Sequence, residues 1–249
     1  MENNAPAFFD GPNARLAYRM HEGEDPTIVW LGGYASDMLG TKAEALATYA
    51  KEADQAYLRF DYSGHGESEG HFEDGTLSTW FADAESLIGD KAPGRKILVG
   101  SSMGAWLTLL YAKKHPAEVS AVVLIAPAPD FTEDLVWPRL SQEHRDRIEK
   151  DGFVKTGPTG HASETYTQAL FEDGRANLVL RTPITLPCPV CILQGTQDEA
   201  VPVAHALKVA DAIDAPSVTT TLVKDGDHRL SNPEDLYLLI RTVSTFIEN

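Results

Sequence analysis

The sequence predicts an α/β fold: a mostly parallel, eight-stranded sheet with helices on both faces and one helical insertion. Three observations carry this. Short apolar runs alternate with stretches of helical spacing, the pattern of strand–helix–strand units around a parallel sheet. The run Ile97-Leu98-Val99 passes into Gly100-Ser101-Ser102-Met103-Gly104 and then into Ala105-Trp106-Leu107-Thr108-Leu109-Leu110-Tyr111-Ala112, which has neither Gly nor Pro. The alternation fails once, over residues 131–186, and then resumes.

Taken in order, residues 7–9 and 14–20 flank the turn Asp10-Gly11-Pro12-Asn13 and predict an opening β-hairpin at a sheet edge. Thr27-Ile28-Val29-Trp30-Leu31 predicts the next strand, running into Gly32-Gly33-Tyr34. Residues 41–53 have helical spacing, with Ala45, Leu46 and Tyr49 on one side. A strand over 56–61 and a helix over 79–88 follow, then the 96–102 strand with its helix, and a strand over 119–126. Residues 131–186 hold two helix-like stretches, 140–150 and 163–172, separated by Gly, Pro and Thr, and read as a lid over the strand ends. Strands at 189–194 and 217–223 and helices at 203–213 and 233–247 close the chain. Residues 1–130 and 187–249 are therefore expected to form one core, with 131–186 as its insertion.

Composition narrows the function. Asp and Glu outnumber Lys and Arg by 37 to 21, a net charge of −16. Such a surface repels phosphate backbones and anionic lipid, so nucleic acid is not an expected partner. No apolar stretch approaches the roughly 18 residues of a membrane span. The first residues, Met1-Glu2-Asn3-Asn4-Ala5-Pro6, read neither as a signal peptide nor as an Arg-rich transit peptide. The only cysteines, Cys188 and Cys191, begin a strand-like run, where a thioredoxin-like pair would begin a helix. Two thiols without a disulfide framework give the expectation of a cytoplasmic location. No metal or cofactor is expected.

The chemistry centres on Ser102. Gly-x-Ser-x-Gly between a strand and a helix predicts a sharp turn that exposes the Ser102 hydroxyl at the strand's carboxyl end. A serine hydroxyl is a weak nucleophile unless a base stands within hydrogen-bond reach and an acid orients that base. His228 follows the last strand in the loop Lys224-Asp225-Gly226-Asp227-His228 and is the expected base; His65, in Gly64-His65-Gly66, is the rival. Asp198 follows the preceding strand and is the expected acid, with Asp130, at the end of the strand before that, as the alternative. The chain order Ser…Asp…His is the one expected for a hydrolase with this kind of turn. Two backbone N–H groups should receive the oxyanion, one on Met103 and one on Tyr34. These groups predict an acyl-enzyme on Ser102 and cleavage of carboxylic esters or thioesters. Perhydrolase or acyltransferase chemistry would use the same groups, and a ligand-binding protein of the same fold would show little turnover. In 131–186, Phe131, Leu135, Val136, Trp137, Leu140, Phe153, Tyr166, Leu170 and Phe171 exceed the apolar bulk of a connector. Most should pack inward, and a few should face Ser102.

These residues together resemble the α/β-hydrolase superfamily. The stretches Gly33-Tyr34…Gly40-Thr41-Lys42-Ala43, Arg59-Phe60-Asp61-Tyr62-Ser63-Gly64, Ile97-Leu98-Val99-Gly100-Ser101-Ser102 and Asp227-His228-Arg229 further resemble the mitochondrial palmitoyl-protein thioesterase family, also called mycophenolic acid acyl-glucuronide esterase. Gly32 stands where that family tends to have Pro. The resemblance implies deacylation of thioesters and acyl esters, S-acylated protein among them. It maps a serine triad onto Ser102, Asp198 and His228, with Tyr34 and Met103 as oxyanion donors.

Overall fold

The computed structural model describes residues 5–156 and 164–247. The opening hairpin is β1 (Ala7–Asp10) against β2 (Arg15–His21), antiparallel, with Ala7 opposite Tyr18. Next come β3 (Glu24–Leu31), α1 (Thr41–Glu52), β4 (Gln55–Phe60) and α2 (Leu77–Lys91). Then follow β5 (Lys96–Ser101), α3 (Met103–Lys114) and β6 (Val119–Ile125). The middle of the chain holds α4 (Gln142–Asp151), β7 (Phe153–Thr156), β8 (Glu164–Thr167), α5 (Gln168–Ala176) and the short β9 (Ile184–Thr185). The chain closes with β10 (Val190–Gly195), α6 (Val203–Ala212), β11 (Ile213–Asp214), β12 (Val218–Val223) and α7 (Pro233–Ser244).

The eight-stranded sheet runs β1-β2-β4-β3-β5-β6-β10-β12. Strands from β4 to β12 are parallel, and β2 meets β4 antiparallel. Both faces are covered, so the central strands are apolar throughout rather than alternating. Alternate residues of β5 serve opposite cores. Ile97 and Val99 join the core under α1 and α7, whereas Leu98 joins the larger core under α2 and α3. β6 divides the same way, with Ala121, Val123 and Ile125 on one side and Val122 and Leu124 on the other. α3 is buried on nearly every side, which is why its sequence is apolar all round.

The segment after β6 begins with a turn of π-helix at Thr132–Val136 and a 3₁₀ turn at Trp137–Arg139. α4 starts where Ser141 caps it by accepting the His144 N–H, within two residues of the expected start. The second expected helix, 163–172, is corrected. Residue 163 lies outside the described residues, and residues 164–167 form a strand that pairs antiparallel with β7. Thr165, Tyr166 and Thr167 favour a pleated surface, and the Thr167 hydroxyl caps α5 by accepting the Leu170 N–H, so the helix begins only at Gln168. Trp106 of α3, fully buried, donates its indole N–H to the Asn177 carbonyl at 3.0 Å and ties the segment's return to the core.

Candidate active site

Ser102 sits between β5 and α3 at φ 55° and ψ −118°, a backbone conformation that costs a non-glycine residue of order 1–3 kcal/mol. The surroundings fix it there. Its N–H donates to the Ile125 carbonyl at 2.9 Å, and its carbonyl accepts from Ala105 and Ala128. The flanking glycines are required by close approach. A Cβ on Gly104 would stand 2.1 Å from the Leu31 carbonyl oxygen, and one on Gly100 would stand 2.3 Å from Thr108 Oγ1 and 2.6 Å from the Gly104 carbonyl oxygen. Gly104→Ala must displace backbone rather than a side-chain tip. It is expected to cost about 2 kcal/mol or more of stability, read as a lowered urea midpoint at unchanged slope. An unchanged midpoint would show that the turn has slack.

His228 and Asp198 meet. The Nδ1–H of His228 donates to Asp198 Oδ2 at 2.8 Å, which leaves Nε2 for a second partner. The Asp198 side chain is fully buried, while that of His228 is one-third exposed. Burial pushes the Asp198 carboxyl up. The His228 hydrogen bond, the Val201 N–H and the Gln194 amide outweigh that and hold it below the usual carboxylate range. Asp198 is thus held as the anion that would stabilise an imidazolium. Gln194, at the end of β10, also donates to the carbonyls of Gly195 and Val201 and so fixes the turn that carries the acid.

The alternatives occupy other places. Asp130, fully buried, accepts the backbone N–H groups of Val179 and Leu180 at 2.8 and 2.9 Å and lies 3.3 Å from Arg181. Burial pushes its carboxyl up despite these donors. Its contacts make it the clamp on the segment's return to the core. His65 is buried edge-on among Tyr62, Phe72 and Trp80, and its Nδ1 faces the Ser63 carbonyl. Burial lowers its pKa, as it does that of buried His205, whose Nε2 meets the Pro129 carbonyl. Both are therefore neutral in the folded chain at neutral pH. The unfolded chain takes up those protons first, so stability is expected to fall as pH drops below about 6.5. Urea midpoints at about pH 7.5 and pH 5.5 test this: a His65→Phe, His205→Gln double variant should lose less on acidification. An equal loss would place the acid sensitivity elsewhere.

Ser102, Met103, Tyr34 and His228 line one cavity of about 440 Å³, well within the range of small-molecule sites. Met103 is the first residue of α3, where a backbone N–H has no acceptor within the helix. Gly33 lies against Ser102: a Cβ there would stand 3.3 Å from Ser102 Cβ. The Tyr34 ring stacks on Tyr166 at 5.5 Å, and its hydroxyl donates to the Thr165 carbonyl, joining this loop to β8.

The segment 131–186 contributes Phe131, Leu135, Val136, Leu140 and Tyr166 to the cavity wall, all among the apolar residues singled out in the sequence. Trp137 and Phe171 instead pack on each other, with ring centroids 5.0 Å apart, and Phe153 is 41% exposed. Arg139 and His144 also line the cavity and were not foreseen. Arg139 donates to the carbonyls of Glu199 and Ala200, next to the turn that carries Asp198. Neither residue sits in a local pattern that marks a site: Arg139 reaches the cavity from the 3₁₀ turn and His144 from the first turn of α4. Cys188 and Cys191 are both thiols, with burial pushing each up in pKa, so the reactive thiolate is disfavoured.

A nucleophile turn at the centre of a parallel sheet, with an acid–base pair on later strand ends, defines the α/β hydrolases. The sequence model of the Alpha/beta hydrolase family matches residues 28–237, and the chain belongs to that family. Within it, the chain is similar to the mitochondrial palmitoyl-protein thioesterase ABHD10 of Mus musculus: 39% identical over 236 residues, 94% of this chain and 79% of that protein. Among solved structures, a chain from Agrobacterium vitis S4, provisionally described as a hydrolase, superposes with a TM-score of 0.93 at 40% identity, covering 97% of this chain and 98% of that one. Mouse alpha/beta hydrolase domain-containing protein 10 superposes at 0.89 with 36% identity, covering 98% of each chain. The expected cytoplasmic location is corrected by the similar palmitoyl-protein thioesterases, which are named as mitochondrial. The expectation rested on free thiols, and those separate reducing from oxidising surroundings without separating one reducing compartment from another. Among the described residues no helix is long and apolar enough to cross a membrane.

Proposed function

We propose that Ser102 is the nucleophile, His228 the general base and acid, and Asp198 the group that orients His228, with the N–H groups of Met103 and Tyr34 receiving the oxyanion. The reaction is hydrolysis of a carboxylic ester or thioester. Ser102 Oγ attacks the acyl carbon as its proton passes to His228 Nε2. The carbonyl oxygen takes up negative charge against the two backbone donors. When the tetrahedral intermediate collapses, the thiol or alcohol leaves with the proton from the imidazolium. Water, giving its proton to the same nitrogen, then attacks the acyl-enzyme; as the second tetrahedral intermediate collapses, Ser102 Oγ takes that proton back from the imidazolium and the carboxylic acid is released. The observation that carries this reading is His228, bonded to buried Asp198 at 2.8 Å, lining the same cavity as Ser102 in its strained turn.

The substrate class is an acyl thioester, with S-acylated protein as one form of it. The support is the similarity to proteins named as palmitoyl-protein thioesterases together with a largely apolar cavity wall. Residues 131–186 act as the lid, and its apolar wall receives the acyl group.

Matched thioester, ester and anilide substrates sharing one acyl group test the reaction. A thiol leaves readily, whereas an amine must be protonated as it departs, so thioester and ester should turn over while the anilide is more than about tenfold slower in kcat/KM. An anilide within that margin would contradict the reading. Phe131→Ala, Leu135→Ala and Leu140→Ala should shift the preferred acyl length in at least one case, whereas Phe153→Ala, on the solvent side, should not. The same length profile in all four variants would remove the lid from substrate selection.

A further inference from the structure

Resting on the assignment of His228 as the base, we propose that Lys42 is a positioning residue that holds the His228 loop against α1 by donating its ammonium to the Arg229 carbonyl. Lys42 comes from the first helix after the Tyr34 loop, far from His228 in sequence. Its Nζ reaches across to the main chain of the residue immediately after His228. The rest of that loop is also determined. Asp227 Oδ1 accepts the N–H groups of Arg229 and Leu230 at 3.0 and 2.9 Å, and the Ser231 hydroxyl donates to the same Arg229 carbonyl at 3.0 Å. Asp235 closes the loop by joining the capping box of α7 with Asn232. Behind it, β10 packs so closely that a Cβ on Gly195 would stand 2.3 Å from the Gly226 carbonyl oxygen and 2.5 Å from that of Asp227. The loop is fixed by the Asp227 turn on one side, by the sheet behind and by Lys42 from α1. Of these, Lys42 is the tie that carries a full charge to a main-chain acceptor next to His228.

That tie responds to pH. Burial lowers the Lys42 pKa to about 8; Asp227 opposes this, Arg229 adds to it, and Asp235 on α7 opposes it. Below that pH the ammonium makes a charge-assisted bond to the Arg229 carbonyl. Above it the neutral amine makes a bond about half as strong. Small displacements of a catalytic group cost rate steeply, so weakening this tie should lower turnover without changing how substrate binds.

The test is the pH profile of kcat and KM, from about pH 7 to 10, for a neutral short-chain ester. Wild type, Lys42→Arg and Lys42→Met are compared, with Ser102→Ala alongside. Wild type should lose activity through a single ionisation near pH 8. Lys42→Arg, always charged and still a donor, should keep near wild-type kcat at pH 7 and remain flat to the alkaline end. Lys42→Met should lose about tenfold in kcat at pH 7 with KM within twofold, and show no inflection. An alkaline limb that persists in Lys42→Arg, or full kcat in Lys42→Met, would overturn the proposal. If Lys42→Met does not fold, the Lys42→Arg profile decides alone. Turnover retained by Ser102→Ala would instead sink the assignment of the nucleophile, an outcome separate from any result at Lys42.

Discussion

Ser102→Ala is expected to lower kcat by about 10⁴-fold or more while the chain keeps its fold. The size follows from what is removed: among the described residues, no other group in the cavity offers an oxygen at the end of β5 beside the Met103 N–H. Residual activity would come from the oxyanion donors and binding alone. The control is Ser101→Ala. Ser101 ends β5 and is buried, so its loss should leave turnover within a fewfold of wild type. Alanine also tolerates φ 55° poorly, so Ser102→Ala neither relieves nor adds much strain at the turn. Circular dichroism and urea midpoints should therefore match wild type closely. Near wild-type turnover in Ser102→Ala, with loss in Ser101→Ala, would move the nucleophile by one residue.

Asp198→Asn should cost about 10³- to 10⁴-fold in kcat, and Asp130→Asn should cost stability instead. An amide at 198 no longer stabilises the imidazolium, and it favours the wrong tautomer by donating to Nδ1 where the carboxylate accepted from it. At 130 the carboxylate uses both oxygens, one on each of the Val179 and Leu180 N–H groups. Asparagine has one acceptor oxygen to offer, so one buried N–H is left facing an amide, at about 1–3 kcal/mol. The two variants thus separate cleanly: one folded and slow, the other active per folded molecule with a lowered urea midpoint. The reverse pattern would transfer the orienting role to Asp130.

Much of this was legible in the sequence because the signals are local and periodic. Ile97-Leu98-Val99 ahead of Gly-x-Ser-x-Gly marks the centre of the sheet, since only a strand buried on both faces reads as an unbroken apolar run. His228 and Asp198 stand out in the sequence because open α/β sheets gather functional groups at strand ends and both strands are visible, and the structure brings the two side chains within 2.8 Å of each other. The segment between β6 and β9 was legible in composition but not in detail. The apolar spacing of Tyr166, Leu170 and Phe171 extends the expected helix over residues 165–167, but the Thr167 hydroxyl, capping α5 by accepting the Leu170 N–H, starts the helix only at Gln168. Trp137, Phe153 and Phe171 were indistinguishable by type from Phe131 and Leu140, and only packing sorts those that line the cavity from those that do not. Arg139 and Lys42 act on main-chain carbonyls distant in sequence, and no spacing rule reaches such contacts.

The most direct test of the central claim is to catch the acyl group on the chain. A slowly deacylated ester is mixed with enzyme, the reaction is quenched in acid within the first turnovers, and the acyl-bearing peptide is located by mass spectrometry. The account predicts one acyl group per chain, attached to Ser102 and absent from Ser102→Ala, appearing together with a burst of leaving group. An adduct on Ser101, Cys188 or Cys191, or steady turnover with no acylated residue at all, would contradict it.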